Sequence, residues 1–452
     1  MNRNREIALL AVVGLLAGYF LVWPFYRAWF PLDVGPTDAW NAYFQDLAFS
    51  PGLYPPADAL ITNNYPPLSF YFIAALGMLF SADPLYVGRA VSILAVLGIG
   101  VEVSIVVRQL GGKPTASALA GLWLVAILAR AFHSYVGRND PQLLAELIML
   151  LGLIWFLRNM GRGMSALGPL LLMVLAGFFK HNIVAIPLTA VIWLSMRDGW
   201  KAMRSLVIIA LVIAAGLLIC HLAYPTFLAN MLAPRLYVLK RVLIAVGRLQ
   251  WVTPALIIVI IWAWRLRGEM SARFTALLVG IALTTYLIQW TGTSVVDNAQ
   301  FDLVIATAIG IGMAYNYAAH MPLAQRWGAI GVRTAIVAIL AARLLATGKI
   351  ESALILTDAS YRALFFVHSA IAKTEAARVS QIEGPVLCDN DVVCRMAGKP
   401  FDADDYTIQQ LVTSGTITSA RLSELFRLKG VTIVDTDRAA ASSSLERDLF
   451  AR

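Results

Sequence analysis

Long apolar runs separated by short polar or basic turns recur along the chain as far as residue 346. A run of about 20 apolar residues, helical, covers a hydrocarbon core about 30 Å thick. The pattern predicts helices that cross a membrane at residues 7–26, 85–107, 115–132, 141–157, 166–179, 183–196, 205–223, 251–264, 274–290, 301–319 and 327–346, about eleven in all. Residues 66–80 are equally apolar, but such a run rises only about 22 Å. It is therefore expected to lie at the interface or only partly embedded. The first run follows Arg3 and Arg5 and lacks a small-residue cleavage site before the aromatic segment 26–30, which marks an uncleaved anchor.

Basic residues gather in the turns 108–113, 158–162, 197–204 and 265–273 and around Arg326. Cytoplasmic loops carry such an excess. With a cytoplasmic N-terminus, segments 27–84, 133–140, 180–182, 224–250, 291–300 and everything beyond 349 then face outward. The unusual polar residues collect on that face.

Composition agrees with the pattern: 59% of residues are hydrophobic, 14% charged, and the mean hydropathy is +0.71. These values place the chain among polytopic membrane proteins. Topology accounts for the net charge of +9, so no nucleic-acid partner is implied. Membrane lipids are the expected surroundings. No internal repeat is visible, which weakens an inverted-repeat transporter reading.

Near residue 349 hydropathy falls and charge rises. A membrane domain (1–348) is expected to give way to a small α/β domain (349–452) outside the membrane. GPVLC at 384–388 and GVTIVD at 430–435 read as short strands, and 419–428 has helical spacing. Cys388 and Cys394 are either bridged, as an oxidising compartment would allow, or two buried thiols. Cys220, in an apolar run, is a packing residue.

Candidate chemistry lies in the outer segments. Residues 35–46, GPTDAWNAYFQD, follow Asp33 and put Asp38 and Asp46 among Trp40, Tyr43 and Phe44. A partly desolvated carboxylate there has the raised pKa of a general base. The plainer role for Asp38 is a first-turn acid behind a Thr37 cap. Asp140 precedes Pro141 as a helix cap would, yet His133, Arg138 and Asn139 stand beside it, a set suited to phosphate, a cation or a hydroxyl. Lys180, His181 and Asn182 run against the positive-inside trend, as a phosphate headgroup would explain. Helix-end cations that snorkel are the alternative. Arg235, Lys240, Arg241 and Arg248 line an apolar stretch and suit either anionic lipid in general or one lipid phosphate. Asn298, with Asp297, Gln300 and Asp302, is either a helix cap or a group that recognises sugar hydroxyls. Glu102 and Glu146 sit inside apolar runs, where a transport pathway would use them. There is no zinc or Walker motif. The paired acids leave a divalent cation open as a cofactor.

The ordered set of an outer-loop aspartate, YPPL at 65–68, RQLGGK at 108–113, RND at 138–140 and KHN at 180–182 resembles the GT-C superfamily of polyprenyl-phosphate-dependent glycosyltransferases. The nearest branch holds protein O-mannosyltransferase-like enzymes and lipid A aminoarabinose transferases. Motif order carries the resemblance through roughly the first 200 residues, and architecture carries it beyond.

The resemblance implies an all-α polytopic membrane fold with a small C-terminal α/β domain. It also implies inverting transfer of a sugar from a polyprenyl-phosphate donor to a lipid, glycan or protein acceptor, at the outer face of the bacterial cytoplasmic membrane. Asp38 and Asp140 become the catalytic acids; Arg138, Lys180, His181, Arg235 and Lys240 face the donor phosphate; Asp33, Tyr65, Asn182 and Asn298 meet substrate. Two positions depart from the pattern. The family's Asp-Glu pair is Asp38-Ala39 here, which leaves Asp38 and Asp33 both open as the base. A lysine of the aminoarabinose transferases is replaced by Tyr65. The competing expectation is a lipid or sugar transporter or flippase.

Overall fold

The computed structural model describes residues 3–434 and 436, apart from 36, 347 and 349. Helix α1 (Arg3–Arg27) leads into a long connecting segment that holds α2 (Asp38–Asp46) and α3 (Leu68–Phe80). The chain then enters a bundle of α4 (Pro84–Gln109), α5 (Pro114–Ala131), α6 (Gln142–Arg162), α7 (Leu167–Gly177), α8 (Ala185–Asp198) and α9 (Met203–Ala223). After α10 (Phe227–Met231) follow α11 (Arg241–Arg248), α12 (Thr253–Arg265), α13 (Met270–Trp290), α14 (Phe301–Asn316) and α15 (Ala324–Leu345).

Each of the eleven expected crossings is a helix, but not all are long. Among the described residues, seven helices have the length and apolarity to cross a membrane: α1, α4, α5, α6, α9, α13 and α15. The segment from Arg241 to Trp251 joins α12 as an eighth, bent by 83°. Helices α7, α8 and α14 have 11, 14 and 16 residues.

Local signals set the helix ends that matter for the site. The helix α3 stops at Ser81, whose φ is 49°. The chain turns back there, and Ala82 N–H donates to Gly77 O at 2.9 Å. Asp83 then caps α4, accepting from Leu85 N–H at 2.8 Å, with Pro84 at the first helical position. The run 66–80 thus ends as a 13-residue helix of about 20 Å.

Close backbone packing builds the core. A Cβ on Gly121 of α5 would lie 2.2 Å from Gly100 O of α4, so the glycine lets two helices touch along their backbones. In α14, residues 301–315 are all buried, which makes it the centre of the bundle. In α9 only Cys220 is buried, leaving an apolar helix that faces lipid.

The tail holds α16 (Glu351–Thr357), α17 (Ala359–Ser380), strand β1 (Val386–Cys388), α18 (Asp391–Met396), α19 (Asp405–Thr413), α20 (Ser419–Lys429) and strand β2 (Thr432–Val434). β1 and β2 pair in parallel, with Val386 opposite Thr432. Cys388 and Cys394 are bridged, with Cα atoms 6.1 Å apart, and Cys220 is free and buried. Asp435, the last residue of the expected second strand, and 437–452 of the expected domain lie outside the described residues. This tail packs on the segment between α1 and α4: Tyr43 stacks on Phe401 at 4.5 Å, and Arg395 pairs with Asp46 and Asp83 at 2.9 and 2.8 Å.

Candidate functional site

The site forms at the end of the bundle where α1 and α5 finish and α4 and α6 begin. Asp38, the first residue of α2, is fully buried there. Arg89 of α4, also fully buried, sends Nε to its two oxygens at 3.1 and 3.3 Å and pairs with it through Nη2 as well. The remaining guanidinium hydrogens go to the carbonyls of Ala28, Phe30 and Leu32 at 3.3, 2.6 and 2.7 Å. Asn139 N–H completes the Asp38 carboxylate at 2.8 Å. A buried ion pair is tolerable when its hydrogen bonds are this well satisfied. The result is a clamp joining the end of α1, α2, α4 and the RND loop.

Asn139 tightens the clamp, exchanging amide hydrogen bonds with Gln45 at 2.8 and 2.9 Å. Its side chain lies over Gly88, where a Cβ would sit 1.8 Å from Asn139 Oδ1. Only glycine fits at that position of α4.

Asp140 is placed differently. Its carboxylate accepts from the Thr37 hydroxyl and from Gln142 N–H, each at 2.9 Å, and faces Lys180 Nζ at 3.9 Å. Burial pushes this carboxyl up in pKa. Lys180, Arg138 and the two hydrogen bonds outweigh burial and hold it below the ordinary value. Lys180 is 2% exposed, and its ammonium lies 3.1 Å from the centre of the Tyr65 ring. Burial lowers the Lys180 pKa to about 8, Asp140 opposing the shift while Arg138 and Arg235 add to it.

Arg138 stands beside this pair, its guanidinium 5.0 Å from the Tyr135 ring. It packs against Gly35, where φ is +151° and a Cβ would meet Arg138 Cζ at 2.9 Å. Arg138 Nε and Asn182 Oδ1 are buried here without a hydrogen-bond partner.

Asp33 lies at the edge, half-buried, its Oδ1 accepting from Gly35 N–H at 2.8 Å. Burial and the neighbouring Asp38 raise its pKa, against the opposing pull of that N–H, Arg138 and Arg89. Asn298 reaches the site through Gln142, donating to its Oε1 at 3.3 Å. Arg235 approaches from the segment after α10, hydrogen-bonded to the Tyr406 hydroxyl, which also accepts from Asn64 Nδ2 at 3.3 Å. Asn182 is held by Gln289, whose Nε2 donates to its carbonyl at 3.1 Å. His181 and Lys240 are exposed, and Lys240 serves as the residue before α11.

Sequence reasoning missed Arg89 and Tyr406. A signal for Arg89 was present, since a lone arginine in an apolar run is costly without a buried partner. Tyr406 had none. Asp38 and Asp140 each face cations instead of each other, and among the described residues no three His, Cys, Asp or Glu side chains converge as metal ligands. What the arrangement favours is an anion, because Arg138, Lys180 and Arg235 outnumber Asp140 in a region largely closed to water.

No protein-family model matches the sequence, and no curated protein matches it. Solved structures match over most of the chain. ArnT from Cupriavidus metallidurans in the apo state superimposes with a TM-score of 0.56 at 15% identity, covering 93% of this chain and 90% of ArnT. The same protein bound to undecaprenyl phosphate gives 0.55 with the same identity and coverage. The Archaeoglobus fulgidus oligosaccharyltransferase in the apo form gives 0.53 at 11% identity, covering 90% of this chain and 65% of that one.

Proposed function

Starting from the GT-C fold that these structures share with the chain, we propose that the protein is an inverting glycosyltransferase. It takes a sugar from a polyprenyl-phosphate donor and passes it to a hydroxyl or amine of a lipid, glycan or protein acceptor at the outer face of the bacterial cytoplasmic membrane. On this reading residues 1–348 are the catalytic membrane domain and 349–452 the extracytoplasmic domain. The observation that carries it is the gathering of Arg138, Lys180 and Asp140 beneath Tyr65, buried at one end of an apolar bundle.

The acceptor atom attacks the anomeric carbon, the bond from that carbon to the phosphate oxygen breaks, and polyprenyl phosphate departs with the electron pair. Arg138 and Lys180, with Arg235 behind them, stabilise the charge that grows on the phosphate. Asp140 holds Lys180 in place. The acceptor's proton goes to Asp33, the half-buried carboxylate with the raised pKa; Asp38, closed in by Arg89, positions the loop. Tyr65, Asn182 and Asn298 line the approach, and His181 stands beside Lys180.

The transporter reading draws on Glu102, buried in α4 with Oε2 unpartnered. Alternating access needs polar groups near the bilayer midplane, whereas Arg138, Asp140 and Lys180 gather at one end of the bundle. Purified protein supplied with an undecaprenyl-phosphate-linked sugar and cell-envelope acceptor should release undecaprenyl phosphate and yield glycosylated product. Cells lacking the protein should accumulate the lipid-linked sugar by mass spectrometry. Unchanged glycans with no transfer in the purified system would refute the proposal.

A further inference from the structure

The nine-residue helix α19 of the C-terminal part touches three separate loops that carry candidate site residues. At its start, Asp404 N–H donates to Leu60 O at 2.9 Å, and the Asp404 carboxylate accepts from Thr62 N–H at 3.3 Å while capping the helix at Thr407 N–H, 2.7 Å away. Those contacts fix the loop that holds Asn64 and Tyr65. Further along, Gln410 Nε2 donates to Ser294 Oγ at 2.9 Å, and its Oε1 accepts from the Thr293 hydroxyl at 2.8 Å. Thr293 and Ser294 belong to the loop that leads to Asn298. Between these anchors Tyr406 reaches Arg235, with Arg235 Cζ 5.8 Å from its ring centre.

The hydroxyl of Tyr406 accepts from Arg235 Nη2 and from Asn64 Nδ2. A phenol hydroxyl both accepts and donates, and the two incoming hydrogen bonds occupy its acceptor side. Its own hydrogen remains to be given. Tyr406 is half-buried beside Tyr65, and the Arg235 charge it holds is felt at Lys180.

We propose that Tyr406 is a lipid-phosphate-binding residue supplied by the C-terminal part of the chain: it holds Arg235 in place and donates its own O–H to a phosphate oxygen. This inference rests on the polyprenyl-phosphate reading of the site and adds a wall to it. A domain that looks like an appendage in sequence then completes the donor pocket. Tyr406→Phe keeps the ring and its packing and removes only the hydroxyl.

The test measures binding of two probes to the full-length protein in detergent: undecaprenyl phosphate, and undecaprenol, which has the same chain without the phosphate. Tyr406→Phe should weaken binding of undecaprenyl phosphate about tenfold or more, the scale of a hydrogen bond to a charged group, and leave undecaprenol unchanged. Equal loss for both probes would mean that Tyr406 only supports the fold, and binding of both at the wild-type level would mean that the hydroxyl meets no phosphate; either overturns the inference. A wild-type protein that fails to distinguish the two probes would remove the donor reading itself, and this inference with it.

Discussion

Asp33 and Asp38 are near neighbours in sequence with opposite surroundings. Asp38 has both oxygens engaged by Arg89 and Asn139 N–H, whereas Asp33 accepts one N–H and stays partly open. Asp33→Asn should therefore lower kcat by about 10²-fold to 10⁴-fold, the range for a general base, with undecaprenyl phosphate binding retained. Asp38→Asn leaves the Arg89 charge buried without its carboxylate, a loss of about 3–5 kcal/mol in stability, and should appear first as a lower Tm in detergent. A folded Asp38→Asn protein that binds donor but does not turn over, beside an active Asp33→Asn, would return the base to Asp38. Because burial and Asp38 raise the Asp33 pKa, the acid limb of kcat/KM should fall as pH drops through a value above that of an ordinary aspartate. Lys180 sets the other limb. Its ammonium, with a pKa of about 8, is charged below that value and neutral above it, so affinity for undecaprenyl phosphate should decline as pH rises past it. Lys180→Arg keeps the charge and should flatten that decline; a decline of unchanged shape would assign it to another group.

At the scale of elements, hydropathy located the helices but not how they end or bend. All eleven apolar runs are helical because an apolar run in a bilayer must satisfy its own backbone. The 83° bend falls where the run 251–264 is expected to begin, because Arg241 and Arg248 interrupt the apolarity before it, whereas α7 ends short of its run 166–179. The site was legible in part for the same reason. Asp140 and Lys180 could be assigned to one site from motif order, but the Asp38–Arg89 clamp joins residues 51 positions apart through a helix face that no local spacing reveals. The helix α3 carries the prediction at this scale. It is short, it ends at the left-handed Ser81, and Ala82 N–H turns back onto it, so both its ends should stay on one side of the membrane. A cysteine at the exposed Ser81 should react with a membrane-impermeant maleimide added to intact spheroplasts. Reaction only after permeabilisation would make 66–80 a crossing and separate α2 from the RND loop topologically.

For the whole molecule, the tail and the segment between α1 and α4 form one assembly, so the chemistry proposed for the site belongs to whichever side of the membrane the tail occupies. Trp23 near the end of α1 donates to the Tyr361 hydroxyl at 3.2 Å, Tyr26 and Phe365 meet edge to face at 5.1 Å, and Tyr43 stacks on Phe401. The tail therefore shares a side with Asp38, Tyr65 and the site, whichever side that is. The basic turns predict an outer location, and the cysteines offer an independent check because disulfides persist in oxidising compartments and are rare in the cytosol. Of the three cysteines, Cys388 and Cys394 are bridged and Cys220 is buried. Protein denatured under acid-trapping conditions straight from cells should thus take up one alkylating group before reduction and three after it, and a cysteine placed at the exposed Ser360 should label from outside. Three groups before reduction, with Ser360 reached only from the cytoplasm, would turn the assembly over. The polar end of the bundle would then face the compartment that holds nucleotide-activated sugars, and transfer from a lipid-linked donor at the outer face would no longer follow from the geometry.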